Sequence, residues 1–560
     1  MKLNFKEISL ILIGTLIWSL TMVKSGLVYP YGMGFWGPNG HDGVWHIALA
    51  ESLSRGSYGM PVFSGETLQN YHVGFDLILA FLNRLTTIPI VNLYFQIIPP
   101  VLAVLIGILT YKFVFLWRKS RGEAFWATFF VYFGGSFSWV VTLIRDGRIG
   151  GESMFWAQQS VSTLINPPFA LSLVLLLSGL IFLLKKKNLL LSILCFGVLI
   201  QIKAYAGILA LGALAIAASY NLWKRKDWSL LKVFSGSLIV SVLLFLPFNK
   251  NSGSLVVFKP FWFLETMMGL TDRLGWLRFG SAMTNYRLGN IWAKAVPAYL
   301  VAFAIFWVGN MGTRIIKEIL VWRWIKNPKK IGFVEVFFIS LIVIGGLMPM
   351  FFLQAGTPWN TIQFFYYSLF FSGILAGVAL GEILSKAKTV LTRSVLIVGT
   401  ILLTVPTTLG TLAHYLPARP PAKISNEELE ALSFLVKEPQ GVILTYPFDR
   451  FKAKEAEANP PRPLYLYEST AYVSAFAKKP VFLEDEVNLD ITGYSWGERK
   501  LKVEKFLKSF EAGEARVFLK ENNISYIYWI KGQRALLREG QLGISKIFEN
   551  SEVDIYKVER

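Results

Sequence analysis

The chain has 560 residues, 54% of them hydrophobic and only 16% charged, against roughly a quarter charged in soluble globular proteins. That excludes an ordinary soluble enzyme. Residues 413–560 hold 22 basic and 22 acidic side chains, so the whole formal charge of +20 lies in residues 1–412, among the apolar segments. A nucleic-acid partner is not expected, because no basic face with interleaved aromatics and no zinc-knuckle spacing occurs. The one cysteine, Cys195, sits in an apolar run and offers neither a disulfide framework nor a thiolate metal site.

Apolar runs long enough for a roughly 30 Å hydrocarbon core fall near 8–29, 92–116, 123–143, 166–184, 188–202, 204–222, 231–248, 292–310, 331–353, 362–384 and 394–412. They predict about eleven transmembrane helices, the first an uncleaved span. With the N-terminus cytoplasmic, the clusters Arg118/Lys119/Arg121, Lys185–Lys187, Lys224–Lys226, Arg314–Lys330 and Lys386/Lys388/Arg393 all fall inside, as short basic loops require. The outer side then receives a first loop (30–91), a second (144–165), a large one (249–291), a short one (354–361) and the C-terminal segment.

In the first loop, Asp42 precedes a helical pattern over 43–55 and His46 lies one turn into it. A carboxylate at a partly dry interface is a candidate general base; the competing role is a helix cap. For His46 the competing role is interfacial packing. Residues 71–88 place His72, Asp76 and Asn83 on one helical face, as in an amphipathic helix lying along the membrane surface. The second loop carries Asp146 and Glu152, which with Asp42 suggest a divalent cation or sugar hydroxyls as ligand. Oxygen donors alone suit Mg²⁺ or Mn²⁺. Alternatively these acids simply pair with Arg145 and Arg148.

Since the clusters at 185–187 and 224–226 both belong inside, the stretch between them is expected to be a hairpin with Lys203 at its outer turn. An ammonium there either snorkels to headgroups or meets an anion such as a lipid phosphate. Arg273, Arg278 and Arg287 of the large loop are further phosphate candidates. Asn360 and Gln363 of the short loop are candidate hydrogen-bonders to sugar or phosphate. The last span leaves through YLPARPPAK (415–423), and residues 413–560 then read as an extracytoplasmic α/β domain with a largely parallel sheet. Its strands are expected at 441–447, 479–483 and 524–530, with a closing hairpin at 546–558.

These features together resemble the polytopic glycosyltransferases of the C superfamily, which include oligosaccharyltransferases, protein O-mannosyltransferases and the aminoarabinose transferase of lipid A. The residues that carry the likeness are Asp42 in GHDGVWH, Tyr71 and His72 in NYHVGFD, Asp146 and Glu152 in RDGRIGGE, and the stretches 469–486 and 518–529. The resemblance implies a helical catalytic membrane domain over 1–412 and transfer of a hexosyl or pentosyl group from a polyprenyl-phosphate donor. The acceptor is a glycan, lipid or protein on the outer face of the cell membrane, and a single displacement inverts the anomeric carbon. It further implies Asp42 as base and Lys203 with Arg278 on the phosphate. Asp146 and Glu152 would hold a divalent ion or sugar hydroxyls, and His46, Tyr71 and His72 would line the acceptor side. The rival classes are a transporter or lipid-carrier flippase, for which no internal repeat is evident, and a surface-polysaccharide polymerase or ligase.

Overall fold

A computed structural model describes residues 3–186, 188–249, 256–509, 511–533 and 543–559. Lys187 of the inner cluster and residues 250–255 of the large loop lie outside the described residues.

Each of the eleven apolar runs contains helix, but the helices are not equivalent. Among the described residues seven are long and apolar enough to cross a membrane: Ile90–Arg118, Pro167–Lys185, Ala204–Arg225, Trp292–Lys326, Phe333–Phe351, Pro358–Lys386 and Val390–Tyr415. An eighth is reached only by joining Arg121–Phe133 to Ser138–Asp146, which are bent by 43° across the break at 134–137, a stretch that begins with Gly134 and Gly135. The run 123–143, expected as one straight span, is therefore broken where two consecutive glycines interrupt it. Leu189–Ile202 and Ser229–Phe245 are shorter apolar helices. The first helix stops at Ser19, short of the expected 29, and the chain turns into a strand at Leu27–Tyr29. Gly26, at φ +74, makes that turn.

Other local features follow from residue chemistry. A widened helical turn at Leu93–Ile97 precedes Pro99 and Pro100, where the missing N–H and the ring's clash with the preceding turn disrupt the regular ladder. Arg314, expected in an inner loop, is instead 1% exposed inside the continuation of helix Trp292–Lys326, its guanidinium donating to the carbonyls of Asn310 and Met311. Ile202 and Ala204 end and begin two helices that pack together, with Lys203 in extended backbone between them, as the hairpin reading expects.

The chain forms two compact units. The first holds Met1–Thr21, Pro99–Pro247 and Gly253–Tyr415; the second holds Met22–Ile98, Phe248–Ser252 and Leu416–Arg560. The expected boundary at 412/413 thus shifts to 415/416, and the first loop belongs with the C-terminal segment.

In the first unit the helix Gln363–Lys386 packs along Arg121–Phe133. Gly373, Gly377 and Gly381 repeat every four residues along it, a spacing that lets membrane helices approach closely. A Cβ on Gly377 would lie 2.1 Å from the Ala127 nitrogen. Residues of the large loop form two helices, Trp262–Gly269 and Leu277–Leu288, and a strand Val256–Phe258 antiparallel to Phe352–Gln354.

The second unit has two four-stranded sheets. One runs Leu27–Tyr29, Gly32–Phe35, Ala422–Ile424, Arg462–Pro463, the first two pairings antiparallel and the last parallel. The other runs Val442–Leu444, Ile524–Ile530, Val553–Val558, Ile544–Glu549, with only the first pairing parallel. The expected largely parallel sheet is therefore mixed. The closing hairpin inserts its second strand beside Ile524–Ile530, and residues 479–483 contribute a single bridge, Val481 to Ile443. Pro480 has no N–H to extend that pairing.

The helix Gly74–Thr86 is amphipathic, but His72, expected on its polar face, precedes it, and Asp76 of that face is buried. Phe75, Asp76 and Leu79 face inward, whereas Leu77, Ile78, Phe81 and Leu85 are exposed.

Candidate functional site

In the second unit, Gly32–Phe35 leads through a short turn into the helix Asp42–Ser54, which is buried from Gly43 to Leu53. His41 is the residue before that helix and Asp42 its first. The Asp42 side chain is 48% exposed, and its Oδ1 lies 3.0 Å from His41 Nδ1. A carboxylate in the first turn of a helix is favoured by the N–H dipoles there. On its other side His41 Nε2 lies 3.4 Å from Oδ1 of Asp485, which is fully buried. Burial alone would lower the pKa of His41, but Asp485, Asp42 and Glu468 outweigh it and raise the value well above that of an ordinary histidine. Burial raises Glu468, partly offset by His41.

One turn along the same helix, His46 Nδ1 is 2.7 Å from Asp76 Oδ1, both side chains buried. The His46 ring stacks on Tyr94 and lies near Tyr71 and Phe75. Tyr71 stacks on His72 at 4.5 Å and meets Trp45 edge-on. His46, Tyr71 and His72 are thus brought together, with Asp76 as the buried carboxylate that holds His46.

In the first unit the second loop lines a cavity of about 690 Å³ with Arg145, Asp146, Arg148, Glu152, Asp272, Arg273, His414 and Tyr415. The two expected acids share this cavity but differ in state. Asp146 is gripped by the Arg145 fork at 2.8 and 2.9 Å. Arg145 also donates to the carbonyls of Thr271 and Arg273, tying the second loop to the large one. Glu152 is buried and accepts from Ser162 Oγ at 2.5 Å, the Gln159 nitrogen at 3.3 Å and Tyr415 Oη at 3.3 Å. Burial raises its pKa, and these hydrogen bonds offset part of the rise.

A divalent ion fits this donor set poorly. One carboxylate is committed to an arginine, the other mostly to neutral donors, and among the described residues no group of three His, Cys, Asp or Glu side chains is placed to hold a metal. The cavity is instead rich in guanidinium groups. Arg273 stacks over Trp156 at 4.2 Å while lining it.

Lys203 is buried, with its ammonium 5.5 Å from the Tyr205 ring, and Tyr205 Oη donates to Gln354 at 2.8 Å. Arg278 is exposed on the helix Leu277–Leu288, whereas Arg287 pairs with Glu265 at 2.9 Å. Asn360 and Gln363 meet each other at 3.5 Å. Sequence reasoning missed His41, Asp485 and the cavity-lining role of Arg273. The signals present were the His41–Asp42 adjacency and the acidic run Glu484–Asp485–Glu486.

No protein-family model matches the chain, and no curated protein matches it. Solved structures do. The oligosaccharyltransferase of Archaeoglobus fulgidus, tethered with an acceptor peptide, aligns with a TM-score of 0.51 at 11% identity, covering 94% of this chain and 69% of its own. The archaeal oligosaccharyltransferase AglB from Archaeoglobus fulgidus, in complex with an inhibitory peptide and a dolichol-phosphate, aligns at 0.50 and 11% identity over the same shares. The arabinofuranosyltransferase AftD from Mycobacteria aligns at 0.51 and 13% identity over 100% of this chain and 40% of its own. An oligosaccharyltransferase and an arabinofuranosyltransferase thus share one fold with this chain.

Proposed function

We propose that this chain is an integral membrane glycosyltransferase that moves a hexosyl or pentosyl group from a polyprenyl-phosphate carrier to a hydroxyl of a glycan, lipid or protein acceptor. The reaction takes place on the extracytoplasmic face, with the N-terminus cytoplasmic and the shorter and bent helices completing about eleven crossings. The observation that carries this reading is Asp42: a half-exposed carboxylate at a helix start, hydrogen-bonded by a buried histidine, in a chain with this fold. The dolichol-phosphate bound to the archaeal neighbour supports a lipid-phosphate donor here.

In the single displacement, a lone pair of the acceptor oxygen forms the bond to the anomeric carbon. The bond from that carbon to the phosphate oxygen breaks, and its electron pair leaves on the phosphate. The acceptor's proton passes to Asp42, and the configuration inverts. A phosphate is a good leaving group without a strong acid, so cations suffice to stabilise it. Lys203 and Arg278, with the guanidinium groups of the 690 Å³ cavity, are the candidate phosphate binders of the first unit. Asp146 orients Arg145, and Glu152 is a candidate hydrogen-bonder to sugar hydroxyls. His46, Tyr71 and His72 line the acceptor side, and Asn360 and Gln363 are candidate partners of sugar or phosphate.

Purified full chain with radiolabelled sugars on dolichyl and undecaprenyl phosphate tests the proposal. Wild type is expected to transfer label from at least one donor, and Asp42→Asn to lose it by about 10²- to 10⁴-fold, the span general-base catalysis contributes. Full transfer by Asp42→Asn would remove Asp42 from the role of base.

A further inference from the structure

The proposed function assigns a base but leaves the C-terminal segment without a part in the chemistry. The geometry around His41 supplies one. His41 is buried, 8% exposed at its side chain, with one ring nitrogen on Asp42 and the other toward Asp485. Asp485 is itself pinned. Its Oδ1 accepts the Asn488 N–H at 3.1 Å, and its Oδ2 accepts the Asn488 side-chain amide at 2.8 Å, so it caps the helix Glu486–Thr492. Its backbone sits at φ +52, a left-handed conformation that non-glycine residues adopt uncommonly, Asp and Asn most readily. A carboxylate anchored at both oxygens holds its charge 3.4 Å from one ring nitrogen, an ion-pair contact rather than an aligned hydrogen bond, while the other ring nitrogen hydrogen-bonds one oxygen of Asp42. That chain of contacts runs from a rigid cap to a half-exposed carboxylate within a single compact unit.

We propose that Asp485, acting through His41, is a positioning residue for Asp42, so that the C-terminal segment takes part in transfer. This rests on Asp42 being the base. The groups that face His41 are Asp42 on its own helix, Asp485 from the cap, and Glu468, which is in turn influenced by Arg462. Tyr467 closes the same neighbourhood by donating to the Gly37 carbonyl. Two carboxylates flanking the ring favour its imidazolium form, which holds Asp42 ionised and oriented until the acceptor's proton arrives. The arrangement resembles a buried acid that orients a histidine, with the order reversed: here the exposed acid, not the ring, meets the substrate.

Asp485→Asn is the discriminating variant, because asparagine caps helices as well as aspartate and tolerates the left-handed backbone while removing the charge. The full chain has four histidines, so ¹⁵N-histidine labelling resolves them, and the spectrum of His41→Asn identifies the His41 signals. In wild type His41 is expected to titrate above the ordinary histidine range, and in Asp485→Asn at least one pH unit lower. Titration of His41 at the same pH in both proteins overturns the proposal.

In the transfer assay Asp485→Asn is expected to lower kcat roughly tenfold to a hundredfold, the scale of a misplaced reacting group. The KM for the lipid-linked donor should stay unchanged, and the acid limb of the kcat–pH profile should move. An unchanged kcat and profile also overturns the proposal. If Asp42→Asn transfers normally while His41 titrates as expected, the base assignment fails and the positioning role falls with it, although the His41–Asp485 geometry stands. The two failures are thereby told apart.

Discussion

Glu428→Gln isolates one buried carboxyl of the second unit. Glu428 is 1% exposed and completes a capping box with Ser425 at the start of the helix Asn426–Lys437. Burial first, then repulsion from Glu552, pushes its pKa from the ordinary 4.5 up to about 7. The folded-state value lies above the unfolded one, so the associated stability is fully present below 4.5 and is lost as pH rises through about 7. At about 1.4 kcal/mol per pH unit, the complete loss is about 3 kcal/mol. Glutamine serves in a capping box as well as glutamate, and its amide can donate to Tyr528 Oη, which lies 3.5 Å from Glu428 Oε1. Hydrogen exchange of residues 426–437 and 524–530 is the assay, with wild type and variant compared in full chain at the same pH so that intrinsic rates cancel. At pH 4.5 the two should be similarly protected; at pH 8 the variant should be protected up to roughly a hundredfold more. Protection ratios that do not change with pH would refute the reasoning. Glu484, raised by burial to about 8, is common to both proteins and drops out of the comparison.

Gly32→Ala is expected to break the junction of the first loop with the C-terminal segment: Gly32 sits at φ +108, and an added Cβ would fall 2.0 Å from the Ile424 carbonyl oxygen. Increased exchange at 422–424 and a lower melting temperature are the expected signs, and an unchanged exchange pattern would contradict the pairing. Gly377→Ala is expected to destabilise the membrane unit by about 1–3 kcal/mol or more through overpacking against Ala127. Gly399→Ala, with nothing within 4 Å of its added Cβ, should be neutral or stabilising by up to about 1 kcal/mol in its helix; thermal melting of both variants in detergent checks the opposite signs.

How much was legible in the sequence depended on whether the signal was local. Hydropathy located a helix in every apolar run, and the Lys203 turn followed from charge parity alone. Length misled where a glycine pair or a turn cut a run, as at Gly134–Gly135 and beyond Ser19, because window hydropathy is blind to backbone breaks. The mixed sheet was missed because strand direction is set by which distant strand accepts the closing hairpin. Asp42 stood out as an acid in an acid-poor stretch, and Asp146 and Glu152 did share a cavity. Their protonation and pairing were not readable, since Glu152 owes its state to burial and to Ser162 and Tyr415, and Asp146 to its immediate neighbour Arg145. His41 was overlooked for the same reason: its significance comes from Asp485, 444 positions later in the chain.

That separation also bears on how such a protein is assembled. The first loop is completed from outside itself: its strand Gly32–Phe35 pairs with Leu27–Tyr29 on one edge but with Ala422–Ile424 on the other, and its helix Asp42–Ser54 packs against Tyr472–Ala477. The residues proposed to take the acceptor's proton and to hold the base in place therefore reach their final geometry only after the C-terminal segment has been made. Strand pairing across nearly 400 residues carries a loop-closure cost that grows slowly with length, so the delay is mainly one of order rather than of stability. On that proposal Asp42 is oriented only once Asp485 is in place, and a chain lacking residues beyond Tyr415 is expected to have no positioned base.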